Sequence, residues 1–120
     1  IDGADRLPSR PDFAMALYPG HLWDGNKGGV HLTSEVKIAP KGPPTFLAQA
    51  GDDATDDIRE SLTYYLALQQ AKVPVEMHLF PEGGHAFGVR PTDKPITHWT
   101  VLAEQWLRSL GILPEVSTNH

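Results

Sequence analysis

His85 stands in the glycine-rich stretch PEGGHAFG, residues 81–88, which directly follows an apolar run at 75–80. A histidine that only fills a core belongs inside a periodic helix or strand, whereas this one follows a predicted strand on an open turn. Imidazole gains and loses a proton near neutral pH, so the position suits a general base. The alternative is a loop histidine with no chemical role.

Two acidic residues, Asp52 and Asp53, follow an earlier predicted strand at 45–50. Parallel strands present their C-terminal ends at one rim of a sheet, so this pair and His85 are predicted to be neighbours. A carboxylate beside an imidazole fixes its tautomer and stabilises the imidazolium, as in the acid and base of a Ser-His-Asp triad. Alternatively, either aspartate is a turn residue or a carboxylate favoured at a helix start.

The elements that must position these residues follow from the hydrophobic pattern. They are predicted as strands at 12–18 and 45–50, a helix at 57–72, a strand at 75–80 and a helix at 99–110. Gly111 is placed to end the last helix. A strand-helix-strand unit of this size implies α/β architecture with parallel strands. We expect the first strand to be buried on both faces, the two helices to cover one face of the sheet, and the first-strand edge to be bare.

The predicted organisation is one α/β unit over residues 1–113, with a long loop excursion at 20–44 and a loose tail at 114–120. Trp23, within the excursion, suits a lid anchor, a pocket wall or simple packing. The chain starts at Ile1 without an initiator Met, so we expect it to be a piece of a longer protein.

Composition narrows the classes of function. The 120 residues are 40% hydrophobic, as in an ordinary globular domain, and 10 basic against 15 acidic residues give a formal charge of −5. Without a Lys/Arg cluster or an apolar run of spanning length, neither nucleic acid nor membrane is a predicted partner. There is no cysteine, and His21, His31 and His98 lack metal-ligand spacing, so no metal and no cofactor is predicted.

Three stretches carry a resemblance to a known family: PPTFLAQAGDD, SLTYYLALQQAKVPVEMHLFPEGGHAFGVRPTDKPITHW and LAEQWLRSLGI. From Ile1 to about Leu113 the chain resembles the C-terminal half of α/β-hydrolase esterases, in the branch of acetyl-xylan-esterase-like proteins and bacterial esterase/lipases. The resemblance implies the C-terminal portion of an α/β-hydrolase fold, with His85 as catalytic base and Asp53, rather than Asp52, as the acid. Where many relatives carry an apolar run after the acid, this chain has acidic residues at 56 and 57.

The nucleophile that this family carries upstream, in a Gly-x-Ser-x-Gly elbow, has no counterpart here. None of the serines has the flanking glycines that the elbow needs; they are Ser9, Ser34, Ser61, Ser109 and Ser117. The resemblance therefore implies the acid and base of a carboxylic-ester hydrolase for small acyl esters such as acetylated sugars, inactive as the isolated chain. The expected partners are the small-molecule ester and either a missing N-terminal half or a second copy. The competing hypothesis is a non-catalytic module that binds through its exposed sheet edge.

Overall fold

A computed structural model of the protein describes residues 12–27, 29–34 and 36–114. Three strands and two helices make up the fold: β1 (Ala14–Leu17), β2 (Thr45–Ala50), α1 (Arg59–Gln70), β3 (Val75–Phe80) and α2 (Trp99–Ser109). A 3₁₀ turn, Pro95–His98, leads directly into α2 and was not predicted from the sequence. The predicted tail at 114–120 lies outside the described residues except for its first residue.

All three strands are parallel and follow the order β1-β2-β3. The register places Ala50 opposite Phe80 and Leu17 opposite Ala48, so the strands end at nearly the same level. The predicted α/β class and the bounds of β2 and β3 are confirmed. Because the strands end together, the residues that follow them share one rim of the sheet.

Strand β2 is the centre of the core, with all six residues buried. Its alternate side chains point to opposite faces, as the strand repeat requires. One face packs on α2, and the other packs on α1 and on Val73, three residues beyond it. The first group comprises Phe46, Ala48, Ala50, Phe87, Ile96, Trp99, Ala103 and Trp106, and the second comprises Leu47, Leu68 and Val73. The prediction that both helices cover one face is therefore wrong, because an apolar run without alternation does not tell which helix lies on which face.

Strand β1 is less buried than the sequence predicts. It pairs only with β2 among the described residues, and Met15 is 38% exposed. Leu17 packs on the α2 side of the core and Ala16 on the α1 side, yet neither is fully buried. The expectation of a strand buried on both faces is wrong, because no described residue pairs with its outer edge.

Both helices end where the sequence predicts an end. Beyond α1, Lys72 takes a positive φ of 63° and Val73 N–H donates to the Leu68 carbonyl before the chain enters β3. Beyond α2, Gly111 takes a φ of 78° and donates to the Arg108 carbonyl, as a C-terminal glycine cap does. Among the described residues, neither helix is long and apolar enough to cross a membrane.

The excursion between β1 and β2 is tied to the start of α1. The buried Glu60 carboxylate accepts hydrogen bonds from the backbone N–H groups of Leu22 and Trp23, each at 2.8 Å. The Arg59 guanidinium lies 4.0 Å from the centre of the Trp23 ring, and it also forms two 2.9 Å bonds to Asp57. Of the interpretations of Trp23, these contacts favour packing that anchors the excursion.

The glycine turn after β3 generates a stability prediction. A Cβ on Gly83 would lie 2.6 Å from Ile96 Cδ1 and 3.2 Å from Ala50 Cβ, whereas a Cβ on Gly84 would meet no atom within 4 Å. Both glycines have positive φ. We expect Gly83→Ala to destabilise the chain by about 1–3 kcal/mol more than Gly84→Ala, because only the former adds overpacking to backbone strain. Urea unfolding of both variants measures the difference, and equal losses would contradict the proposed packing.

The Asp57–Arg59 pair generates a second prediction. Hydrogen bonds from the Arg59 side chain and backbone lower the pKa of Asp57 to about 2, from an ordinary 3.8. A lowered folded-state pKa stabilises the fold above about pH 4, and this contribution disappears as pH falls toward 2. We expect Asp57→Asn to lower the melting temperature slightly at pH 6, with the gap closing near pH 2. Thermal melts at a series of pH values test this, and a gap that widens in acid would refute it.

Candidate active site

Each strand delivers one side chain to the same point on the rim. Tyr18 directly follows β1, Asp53 lies three residues beyond β2, and His85 lies five residues beyond β3. The Tyr18 and His85 ring centroids are 4.8 Å apart. The structure thus gathers at one place residues that are far apart in sequence, as the parallel topology predicts.

The imidazole of His85 and the carboxylate of Asp53 are in direct contact. Nδ1 of His85 lies 2.9 Å from Oδ2 of Asp53, a normal distance for an N–H group donating to a carboxylate. The Asp53 side chain is fully buried, whereas the His85 side chain is 31% exposed. The carboxylate assigns the proton to Nδ1 and leaves Nε2, which has no hydrogen-bond partner among the described residues, as the basic nitrogen.

A tight turn keeps Asp53 ionised despite its burial. Burial is the largest influence and opposes ionisation. Hydrogen bonds donated by the Asp56 N–H, by His85 and by the Thr55 N–H outweigh it, so the pKa of Asp53 lies below its ordinary 3.8. The two backbone donors both bind Oδ1 at 2.9 Å, which leaves Oδ2 to the imidazole. The carboxylate therefore carries its charge throughout the pH range in which a histidine titrates.

Asp52, the other candidate for the carboxylate partner of His85, binds the main chain of the histidine loop instead. Its Oδ1 accepts a 2.8 Å hydrogen bond from the backbone N–H of Gly84, directly before His85. It makes no contact with the imidazole among the described residues. The two aspartates therefore have different contacts: Asp52 binds the main chain of the histidine loop, and Asp53 binds the side chain of His85.

The loop that carries His85 is held in an uncommon backbone conformation. Gly84 before it and Ala86 after it both have positive φ, of 69° and 57°. Arg90 donates to the Ala86 carbonyl at 3.1 Å, and the buried Phe87 packs edge-on against Tyr18. A non-glycine residue in the left-handed region persists only where its surroundings hold it, which is common at functional sites.

Sequence reasoning did not assign roles to two residues that the structure adds. Oδ2 of Asp56 lies 3.5 Å from Nδ1 of His85, so a second carboxylate is close to the same ring nitrogen. Gln49, fully buried on β2, donates to the Asp56 carbonyl at 2.8 Å. It thereby holds the turn at residues 53–56, called the acid turn below. The extra acidic residues after Asp53 were a sequence feature that could have drawn attention to Asp56. By contrast, nothing in an apolar strand indicates that Gln49 holds the turn after it.

The carboxylates and the imidazole also resemble a ligand set. Asp53, Asp56 and His85 each place one potential ligand atom within 4.8 Å of the others. A divalent cation bound through Nδ1 would replace the proton there and break the hydrogen bond to Asp53. The 2.9 Å separation fits the hydrogen bond directly, so the arrangement is explained without an ion.

A cavity and a second histidine lie near the site, but neither is part of it. A cavity of about 100 Å³ beside the histidine loop is lined by Gly83, Phe87, Gly88, Arg90, Thr92, Lys94, Ile96 and Thr97, and His85 is not among its lining residues. His78 on β3 contacts Glu76 at 2.8 Å and packs on Phe46, so it has a packing role. Neither feature adds a group to the rim.

Known structures of similar shape were found, whereas no protein-family model and no curated protein sequence matches the chain. An acetyl ester-xyloside bifunctional hydrolase from Caldicellulosiruptor lactoaceticus matches 93% of this chain with 29% identity and a TM-score of 0.76. A sugar hydrolase from Lactococcus lactis matches 83% with 26% identity and a TM-score of 0.64. A carboxylesterase from Lactobacillus plantarum matches 88% with 24% identity and a TM-score of 0.63.

The matched part is about half of each of these proteins: 47%, 48% and 46% of their own chains. The chain therefore has the fold of these α/β hydrolases and spans about half of their length.

Proposed function

We propose that the chain supplies the acid and the base of a serine-type carboxylic-ester hydrolase. The observation that carries the proposal is the 2.9 Å contact between Nδ1 of His85 and the fully buried Asp53, with the imidazole itself partly open to solvent. A buried, ionised carboxylate on one nitrogen and an unpartnered second nitrogen are what a general base needs. Small acyl esters such as acetylated sugars are the proposed substrates, since one neighbour is an acetyl ester-xyloside hydrolase.

In the proposed reaction, Nε2 of His85 takes the proton from a serine hydroxyl while the serine oxygen attacks the ester carbonyl. The imidazolium then returns the proton to the departing alcohol, which leaves an acyl-enzyme, and a water molecule activated by Nε2 releases the acid. Asp53 keeps the proton of the neutral ring on Nδ1 and stabilises the imidazolium at each step. Tyr18, whose ring packs against the imidazole, limits the tilting of the ring.

The serine and the oxyanion donors are proposed to come from a polypeptide segment outside this chain. None of the five serines lies in a Gly-x-Ser-x-Gly elbow, and the chain spans about half of its structural neighbours. Ser61, which lies in α1, is fully buried and donates to Gln49, so it is not free to attack a substrate. The competing proposal, a non-catalytic binding module, is favoured only by the uncovered edge of β1.

The activity prediction compares the isolated chain with the chain joined to the segment that we propose precedes it. Alone, it should hydrolyse p-nitrophenyl acetate no faster than an exposed histidine, because loss of a single oxyanion donor already costs about 10²–10³ in rate. Joined, it should show saturable turnover that His85→Ala abolishes. Saturable activity of the isolated chain that a serine-directed phosphonate abolishes would show that one of its own serines is the nucleophile.

In the joined protein, Asp53→Asn should reduce kcat by about 10³–10⁴-fold. The N–H groups of Thr55 and Asp56 would bind the amide oxygen at the Oδ1 position and turn the amide NH₂ toward Nδ1 of His85. The imidazole would then carry its proton on Nε2, where it cannot act as a base. Asp52→Asn is the matched control and should retain most of the activity, and equal losses in the two variants would argue against the assignment of Asp53.

The assembly prediction concerns the outer edge of β1. An unpaired strand edge with a half-exposed Met15 is a template for another strand, so we propose that the rest of the hydrolase or a second copy covers it. Light scattering of the isolated chain should show self-association, which Met15→Lys should reduce because a charge disfavours edge pairing. A cooperative monomer at high concentration would contradict the proposal.

A further inference from the structure

Two carboxylates lie within 4 Å of Nδ1 of His85. Oδ2 of Asp53 lies 2.9 Å from Nδ1, and Oδ2 of Asp56 lies 3.5 Å from the same atom. The longer distance exceeds that of a normal N–H···O hydrogen bond, so Asp56 is a charged neighbour rather than the principal acceptor. A movement of about half an ångström would bring it within hydrogen-bonding range.

The backbone of Asp56 is fixed by hydrogen bonds at both its N–H and its carbonyl group. Its N–H donates to Asp53 Oδ1, and its carbonyl accepts from Gln49 Nε2 at 2.8 Å. Gln49 is fully buried and is itself fixed by a hydrogen bond from Ser61. A buried glutamine bonded at both ends of its amide is a rigid support, so the position of Asp56 is set by the core and not by solvent.

The side chain of Asp56 also lies against the excursion, at Gly20. A Cβ on Gly20 would lie 2.5 Å from Oδ1 of Asp56, too close for both to keep their positions. The absence of a side chain at position 20 therefore leaves room for the carboxylate beside the imidazole. Asp56 is 20% exposed, compared with 0% for Asp53, so water can still reach it.

We propose that Asp56 is a second positioning carboxylate for His85, able to accept the Nδ1 proton in place of Asp53. The proposal rests on the proposed role of His85 as the base and adds a residue to it. Other groups near His85 do not compete: Tyr18 packs on its ring, Asp52 accepts from the Gly84 N–H, and Arg90 donates to the Ala86 carbonyl. Of the described carboxylates, only Asp56 is placed to replace Asp53.

The tautomer of His85 reports the acceptor directly, because the hydrogen bond at one ring nitrogen decides which nitrogen keeps the proton. ¹⁵N spectra of histidine-labelled chain, recorded where the ring is neutral, distinguish Nδ1–H from Nε2–H. The His85 signals among the six histidines are those lost in His85→Gln. This measurement needs no nucleophile, so it separates a failure of this inference from a failure of the proposed esterase function.

The decisive variant is Asp53→Ser. A serine hydroxyl still accepts the Thr55 and Asp56 N–H groups that shape the turn, but it is too short to reach the imidazole. We expect Asp53→Ser to keep the Nδ1–H tautomer through Asp56, and Asp53→Ser/Asp56→Asn to lose it. Asp53→Ser/Asp57→Asn is the matched control and should behave as Asp53→Ser, because Asp57 is bound to Arg59. An Nε2–H tautomer in Asp53→Ser itself would overturn the proposal.

Gly20→Ala provides an independent test that keeps Asp53 and every charge. Its methyl group should push the Asp56 carboxylate away from the imidazole. We expect the Nδ1 proton resonance of His85 to shift in Gly20→Ala and in Asp56→Asn, in the same direction, and to stay in place in Asp57→Asn. If Asp53→Ser does not fold, this comparison decides the question, and unchanged resonances in both former variants would refute a role for Asp56.

Discussion

The parallel pairing of β2 with β1 and β3 is the constraint on which the rest of the molecule depends. Opposite residues Ala50 and Phe80 bring two strand ends to one level, and the pairing of Leu17 with Ala48 adds the third. Side chains from three distant parts of the chain therefore lie within contact distance without a long loop to bring them there. Because β2 is buried on both faces, a slip in its register would disrupt both halves of the core together.

A buried polar group supports this arrangement. Gln49 occupies a position on β2 that an apolar side chain would otherwise fill, and burying an amide is unfavourable unless its hydrogen bonds are made. It makes them to the carbonyls of Asp56 and Asp57 and to Ser61, so it links the central strand, the acid turn and α1. Such a satisfied network favours one conformation of the turn over the alternatives. The position of the acid thus depends on the core as much as on the rim.

Much of the fold could be read from the sequence, because its signals are local. The bounds of β2 and β3, the helix of 57–72 to within two residues at each end, and Gly111 as a cap all follow from patterns of neighbouring residues. The face on which each helix packs and the exposure of β1 depend on contacts between distant segments, which local patterns do not encode. At the site, strand order was enough to place the Asp52 and Asp53 pair near His85, whereas the choice of Asp53 came from the family resemblance. Tyr18 and Asp56 were missed because their roles arise from side-chain directions beyond the strand ends.

The adjacent positions of Asp52 and Asp53 have a consequence for motion. Asp52 binds the main chain of the histidine loop at Gly84 and Asp53 binds the ring of His85, so a single turn holds the loop at two points. Two attachments to neighbouring residues resist rotation as well as translation. Any slow rocking of the loop must carry the turn at residues 53–56 with it, and Asp53 and His85 then move as one rigid body. Such a motion changes the distance from the imidazole to whatever lies across the rim while the length of the bond between imidazole and carboxylate is preserved.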